Sequence, residues 1–192
     1  MFNLPKDLVE ALGLDDSYEV QVSKVFHCDG LLLCITKDHT KLLVWNPYWG
    51  QTKWIEPIHT SYQLELYSYA IGYDKSSRSY KILSFLDSYY PTTFVDIKIY
   101  ECNSGSWRVL DVAAPDGQVD DYEGGVSLKG NTYWFVKEKP SETTVGEDDS
   151  FLVCFDFTKE RFGPLLPLPF EWYPEDTATL SSVREEQLAV LF

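Results

Sequence analysis

The sequence predicts an all-β fold in which short antiparallel strands are grouped into repeated blades. Three observations support this prediction. They are short runs of β-branched and aromatic residues bounded by turn residues, a phrase that recurs at a fixed spacing, and an apolar hairpin arm that appears between its copies. The chain has 192 residues, of which 44% are hydrophobic and 16% aromatic, enough for one sizeable core.

The recurring phrase is a strand that ends in an aromatic residue, then an acid or amide, then a short turn with Gly, Ser or Thr, then a second aromatic residue. The strands end at Trp45, Tyr100 and Phe155, which are spaced by 55 residues. The other aromatic residues assigned to the repeat are Trp54, Trp107, Trp134 and Phe162. We expect these side chains to pack between blades, because each can bury a large apolar area.

The apolar hairpin arm occurs four times, at residues 31–35, 81–85, 132–136 and 188–192. A period of about 50 residues made of short strands is typical of a kelch-like β-propeller. The sequence therefore predicts a partial propeller of about three to four blades. The alternative is a β-sandwich whose hairpins are evenly spaced.

The pattern predicts the elements in chain order. A short helix at 6–12 and an edge strand at 15–23 come first. Pro47 and Gly50 favour a turn at 46–50. The predicted strands are 31–35, 42–45 and 54–55, then 69–74, 80–86, 95–100 and 107–112, then 125–128, 132–137, 151–157 and 161–166, and finally 178–183 and 187–192. Acidic loops are predicted at 116–123 and 138–149.

Charge and hydropathy limit the classes of partner. The formal net charge is −14, and such a surface repels phosphate, so we expect no nucleic acid and no membrane as partners. No apolar run has the length of a transmembrane helix. Residues 1–13 lack the basic start and the apolar centre of a secretory signal. An intracellular protein, cytoplasmic or nuclear, is therefore expected.

Three of the four cysteines, Cys28, Cys34 and Cys154, lie in or beside apolar strand runs, and Cys102 sits at a turn edge. None of them belongs to a Cys-x-x-Cys pair, and a reduced state fits an intracellular chain. His27, Cys28, Cys34 and His39 lie close together in sequence and could suggest zinc. Because hydrophobic strand residues separate them, buried thiols are the preferred interpretation, and no metal or cofactor is predicted.

No catalytic motif is present, so the sequence predicts a protein that is not an enzyme. A propeller glycosidase is the alternative, and it would need two carboxyl groups facing each other across a cleft. The paired acids at 120–121 and 148–149 lie in polar loops, where a solvated face is the simpler interpretation. Asp29, Asp74 and Asp156 follow strands and are expected to cap turn N–H groups.

Four aromatic residues outside the repeat are candidates for protein binding. They are Tyr89, Tyr90, Trp172 and Tyr173, and each pair directly precedes a proline in a predicted loop. Exposed aromatic side chains in loops are frequent anchors in protein recognition. The alternative is that they fold back against the blade edges.

Eight phrases, in order, resemble the plant F-box-associated domain, type 1, the kelch-like β-propeller that follows many plant F-box motifs. They are FHCDGLLLC, LLVWNPYWGQTKWI, YAIGYD, SYKILSF, IYECNSGSWRVL, GVSLKGNTYWF, FLVCFDFTKERFGPLLPLPF and LSSVREEQLAVL. The resemblance runs from about Tyr18 to Phe192. It assigns residues 18–192 to this domain, truncated at its C-terminus, and leaves residues 1–17 as an N-terminal segment that holds at most an F-box remnant.

The resemblance implies the substrate-recognition domain of an SCF (F-box) E3 ubiquitin ligase, which is non-catalytic. Its partner would be a protein to be ubiquitinated. The family's F-box docks onto the SCF adaptor, so adaptor binding is expected only where an F-box is present. Residues 4–10 are similar to the opening phrase of that motif, LPxDLVxE. The alternative is a truncated or degenerate paralogue without ligase docking.

Overall fold

The structure is a computed structural model, and it describes residues 2–3, 21–38, 40–58, 67–86, 95–115, 118–119, 124–137, 150–168 and 179–191. Every regular element in these ranges is a β-strand, and every strand pair is antiparallel, which confirms the predicted all-β class. None of the described elements is a helix that could span a membrane. The chain divides into two compact units, Met1–Glu65 and Leu66–Phe192.

The first unit holds a sheet in which each strand pairs with the next in chain order. Its strands are β1 (Phe2–Asn3), β2 (Gln21–Cys28), β3 (Leu31–Thr36), β4 (Leu42–Asn46) and β5 (Gln51–Ile55). Asp29 and Gly30 connect β2 to β3, with φ of 47° and 83°. Two successive residues with positive φ form a two-residue hairpin turn whose twist matches the twist of the flanking strands. This turn therefore fixes the register of β2 on β3.

Both faces of β3 and β4 are buried. Leu42 and Leu43 are each 1% exposed, and because side chains alternate along a strand they lie on opposite faces of the sheet. One face carries a cluster of Val22, Cys34 and Leu43, against which Leu32, Trp45 and Trp54 pack. The large repeat aromatics of this unit therefore stabilise their own sheet.

The second unit begins with a four-stranded sheet in chain order. Its strands are β6 (Tyr67–Asp74), β7 (Ser79–Leu86), β8 (Val95–Glu101) and β9 (Ser106–Val109). Nearly every residue of β6 and β7 is buried, whereas β9 is mostly exposed. This gradient places the first two strands inside the unit and the fourth at its surface.

The next sheet has four strand positions, with both outer positions broken into two short strands. Its strands are β10 (Gln118–Val119), β11 (Val126–Leu128), β12 (Asn131–Lys137), β13 (Ser150–Asp156), β14 (Arg161–Phe162) and β15 (Leu166–Pro167). β10 and β11 pair with opposite ends of β12, and β14 and β15 pair with opposite ends of β13. A final hairpin, β16 (Thr179–Val183) and β17 (Gln187–Leu191), packs Leu180 against Phe135 of β12.

The main core lies between these two larger sheets of the second unit. The first sheet contributes side chains of β6–β8, among them Leu83, Phe85 and Ile99. The second sheet contributes Trp134 of β12 and Phe155 of β13, and the turn after β13 contributes Phe157. The backbones also meet, because the Tyr73 N–H donates to the Gly130 carbonyl at 2.9 Å. The sheets are therefore packed face to face.

Several predicted elements differ from the structure. The strand placed at 15–23 is described only from residue 21, and it runs on to Cys28, because His27 and Cys28 pair with β3. The strand predicted at 107–112 ends at Val109, and the one predicted at 161–166 is two short strands. β10 pairs within the predicted acidic loop at 116–123. The predicted helix at 6–12 and the loop at 138–149 lie outside the described residues.

Candidate protein-binding surface

The turn between β4 and β5 is rigidly built. The Asn46 side-chain oxygen accepts hydrogen bonds from the backbone N–H groups of Tyr48 at 3.0 Å and Trp49 at 3.1 Å. Pro47 restricts its own φ, and Gly50 has a φ of 63°, which glycine adopts at low cost. Local side-chain and backbone chemistry therefore shapes this turn.

The turn presents two aromatic side chains to solvent. Tyr48 is 85% exposed and Trp49 is 70% exposed, the two most exposed large hydrophobic residues in the described part of the chain. Their ring centroids lie 5.0 Å apart and their planes meet at 86°. The two exposed rings meet edge to face at nearly a right angle, and we call this pair the aromatic corner.

The repeat-equivalent turn of the β6–β9 sheet is built differently. The Gly105 N–H donates to the Glu101 carbonyl at 2.8 Å, and the Ser104 and Ser106 hydroxyls are 2.8 Å apart. The Glu101 carboxylate accepts from Arg108 Nε at 3.0 Å. This turn therefore carries small polar residues and an ion pair in place of exposed aromatic rings.

The equivalent turn after β13 joins the two larger sheets of the second unit. Asp156 Oδ1 accepts from the N–H groups of Thr158 at 3.0 Å and Lys159 at 2.9 Å. The Glu160 carboxylate pairs with Lys81 Nζ at 2.6 Å and with the Arg108 guanidinium. These ion pairs form within the second unit and link one sheet to the next.

Lys81 is the centre of this ion network. Its Nζ lies 2.6 Å from Asp74 Oδ2 as well as from Glu160, and its side chain is only 8% exposed. Asp74 also accepts from the Ser76 N–H at 2.8 Å and the Ser77 N–H at 3.3 Å. The caps predicted for Asp74 and Asp156 are confirmed. The cap predicted for Asp29, which has a φ of 47°, stays a prediction.

The network keeps its groups charged. Burial raises the pKa of the Asp74 carboxyl, but hydrogen bonds from Lys81, Ser76 and Ser77 outweigh burial and hold that pKa well below its usual value. For Glu160 burial likewise raises the pKa, and the pairs with Arg108 and Lys81 lower it by more. Burial lowers the pKa of Lys81, and its two carboxylate partners raise it above the ordinary value.

This electrostatic arrangement does not resemble a glycosidase acid. A general acid in such an enzyme needs a raised carboxyl pKa, and the pKa values of Asp74 and Glu160 move the other way. The described residues include no group of three or more His, Cys, Asp or Glu side chains placed to hold a metal ion. The acidic pairs at 120–121 and 148–149 lie outside the described residues.

The predicted buried thiols are confirmed for two cysteines. Cys28 and Cys34 are buried, and burial raises the pKa of the Cys34 thiol to about 11. Cys102 and Cys154 are only partly buried. His27 Nε2 accepts a hydrogen bond from the Gly30 N–H at 2.9 Å, so its ring supports the β2–β3 turn.

The repeat aromatics divide into two groups. Trp134 meets Phe85 of the neighbouring sheet at a ring-centroid distance of 5.7 Å, as expected for packing between blades. Trp107 contacts Tyr100 of the adjacent strand at 5.2 Å, and Phe162 contacts Phe155 at 5.0 Å. These two ring contacts lie within one sheet, although Phe162 also packs against the core cluster that joins the two sheets. Packing between blades is therefore confirmed for Trp134.

The candidate binding residues Tyr89, Tyr90, Trp172 and Tyr173 all lie outside the described residues, and their role stays a prediction. Tyr48 and Trp49 are additional candidates that the sequence pattern does not single out. Their signal is similar, because this aromatic pair directly follows Pro47, whereas each predicted pair directly precedes a proline. The pattern predicts only a turn at 46–50, because the strands beside it match the repeat.

Comparison with protein families gives one match that covers nearly the whole chain. Residues 4–192 match the family model described as the F-box associated beta propeller domain. Together with the antiparallel sheets, this match confirms the predicted partial β-propeller.

Similar proteins come from Arabidopsis thaliana. One named as an F-box protein is 57% identical over 189 residues, covering 95% of this chain and 47% of the relative. One named as an F-box/kelch-repeat protein is 50% identical, with coverages of 99% and 52%. Another F-box protein is 54% identical, with coverages of 91% and 44%. The chain thus spans about half the length of the curated relatives it matches.

Proposed function

Because this chain belongs to the F-box associated β-propeller family, we propose that it is a non-catalytic protein-recognition module of an SCF-type ubiquitin ligase. The observation that supports this most directly is the family match over residues 4–192. The relatives carry the name F-box protein. The resemblance to that family implies a link between a captured protein and a ubiquitin ligase. The partner we propose is accordingly a protein destined for ubiquitination.

The geometry of the described residues supports binding in preference to chemistry. The buried acids and bases of the second unit neutralise one another in the Lys81 network. The first unit places two aromatic rings in solvent on a pre-shaped turn. Tyr and Trp are frequent hot-spot residues of protein interfaces, so this turn has the composition of a recognition element.

We place this activity inside the cell, in the cytoplasm or the nucleus, where ubiquitination takes place. The net charge of −14 disfavours nucleic acid and anionic lipid as partners. Docking onto the SCF adaptor belongs to the F-box, so the adaptor is a partner of polypeptides that carry that motif. We assign the recognition of the partner protein to the propeller itself.

The proposal is tested by affinity purification of the tagged chain from plant cells with the proteasome inhibited. An unrelated propeller with the same tag serves as the control. Each enriched protein is then purified and titrated against the purified chain. We expect at least one to bind again with a Kd of about 10 μM or tighter. If no enriched protein binds the purified chain, the proposed recognition function is wrong.

A further inference from the structure

The aromatic corner has no evident role in holding the fold. Tyr48 and Trp49 are both more than two-thirds exposed, and neither belongs to the core clusters of the described residues. An aromatic side chain left in water forgoes the stabilisation that its burial would give. Two of them side by side on one short turn concentrate apolar area at a single place.

The corner is also pre-organised. The two hydrogen bonds to Asn46 and the restricted φ of Pro47 hold the turn before any ligand arrives. Pre-organised aromatic groups bind with a smaller loss of conformational entropy than flexible ones. The two perpendicular rings are largely exposed and offer apolar surface in two planes, which suits a ligand with flat apolar groups on adjacent residues.

The charge pattern identifies the chemistry of that ligand. Residues 46–52 carry no charged side chain, in a chain of which 24% is charged. The equivalent turns of the second unit hold Glu101 and Arg108, and Asp156 and Glu160, in ion pairs or caps. Among these three turns, only the one at 46–50 has an uncharged apolar tip. A charge on a ligand segment facing these residues would lose hydration and would find no opposite charge among residues 46–52.

We infer that the aromatic corner binds an extended, uncharged, proline-containing segment of a partner protein. Proline supplies a flat apolar ring and has no N–H to satisfy, and proline-rich segments present such rings from a preformed extended helix. Segments of this kind dock on aromatic surfaces with a low entropic cost. This inference rests on the proposed protein-recognition function and names the class of segment recognised.

The test is selection of a displayed random peptide library on the whole 192-residue chain. Selected peptides are titrated against the wild type, the double variant Tyr48→Ser/Trp49→Ser, and Val109→Ser. Val109 is 69% exposed on β9, so its variant removes exposed apolar surface elsewhere. We expect uncharged, proline-containing peptides whose affinity falls about 30-fold or more in the double variant. Val109→Ser should change affinity by less than about twofold, and all three chains should melt alike.

Several results would overturn the inference. They are peptides that bind the double variant as well as the wild type, selected peptides that are charged, and a library that yields no binder. Binding to neutral phosphatidylcholine vesicles in place of peptides would also overturn it. Each of these leaves the proposed function standing if a purified partner protein still binds the chain, because that experiment does not depend on the aromatic corner.

Discussion

At the scale of single residues, the second unit depends on a lysine in an unusual position. Lys81 is buried between Asp74 and Glu160, which come from different sheets. Removing one partner of a buried ion pair leaves uncompensated charge, and this costs more than the pair itself contributes. The network is therefore the point where a small chemical change should have a large effect on stability.

We expect Lys81→Met to lower the free energy of unfolding by about 3 kcal/mol, because two carboxylates lose their shared cation. Lys159→Met is the matched control. Lys159 is 62% exposed and lies 3.4 Å from Asp156, so its loss should cost less than about 0.5 kcal/mol. Urea unfolding of the three chains gives both values. Equal midpoints for Lys81→Met and the wild type would show that the pair is not formed.

The same network predicts how stability depends on pH. The pKa of Asp74 is lowered in the folded chain, so below about pH 4 the unfolded state binds a proton that the folded state does not. Stability contributed by this carboxylate is full above that pH and is lost as the pH falls. The carboxyl groups of Glu160 and Asp156 act in the same direction, since their pKa values are lowered as well.

Asp74→Asn should therefore be less stable than the wild type at pH 7, by about 2 kcal/mol, and its loss of stability below pH 4 should be shallower. Urea midpoints measured from pH 7 to pH 3 give both slopes. Parallel slopes for the two chains would mean that Asp74 does not titrate differently on folding.

At the scale of elements, one glycine allows two sheets to meet. A Cβ at Gly72 of β6 would lie 2.0 Å from the ring of Phe157, which is fully buried. We expect Gly72→Ala to destabilise the chain by about 1–3 kcal/mol through overpacking. At Gly163 the nearest atom is 3.7 Å from the added Cβ, so Gly163→Ala should change stability by less than about 0.5 kcal/mol. Thermal melts of the two variants would contradict this account if both shift equally.

Most of these elements can be predicted from the sequence because their signals are local. The Lys129–Gly130 turn and the strands beside it were predicted within one residue, since short hairpins depend on turn chemistry. The single strand expected at 161–166 is interrupted at 163–165, where Pro164 lacks the N–H that a sheet needs. β10 has two residues, and its pairing with β12 is non-local, so no run of residues predicts it.

The aromatic corner shows why a site is harder to predict than a fold. Composition places Tyr48 and Trp49 in a turn, but it does not say whether an aromatic ring in a turn folds back or faces solvent. The Asn46 hydrogen bonds and the resulting exposure decide that, and they are properties of the three-dimensional turn. The ion network is likewise not predictable from local sequence, because Lys81 and Glu160 are 79 residues apart.

At the scale of the whole molecule, the two units use equivalent turns for different purposes. In the second unit those turns carry charges that fasten sheets together, and in the first unit the turn carries an uncharged aromatic corner. A propeller built from repeats can vary its turns in this way without altering its strands. We expect recognition of the partner protein to be localised to the first unit.

The most direct measurement of this claim is backbone amide exchange of the chain with and without a purified partner protein. The account predicts slower exchange across residues 46–52, with no change at the equivalent turn at 102–105. The account would be contradicted by a complex in which the amides of residues 46–52 exchange as fast as in the free chain and the protected amides lie in the second unit.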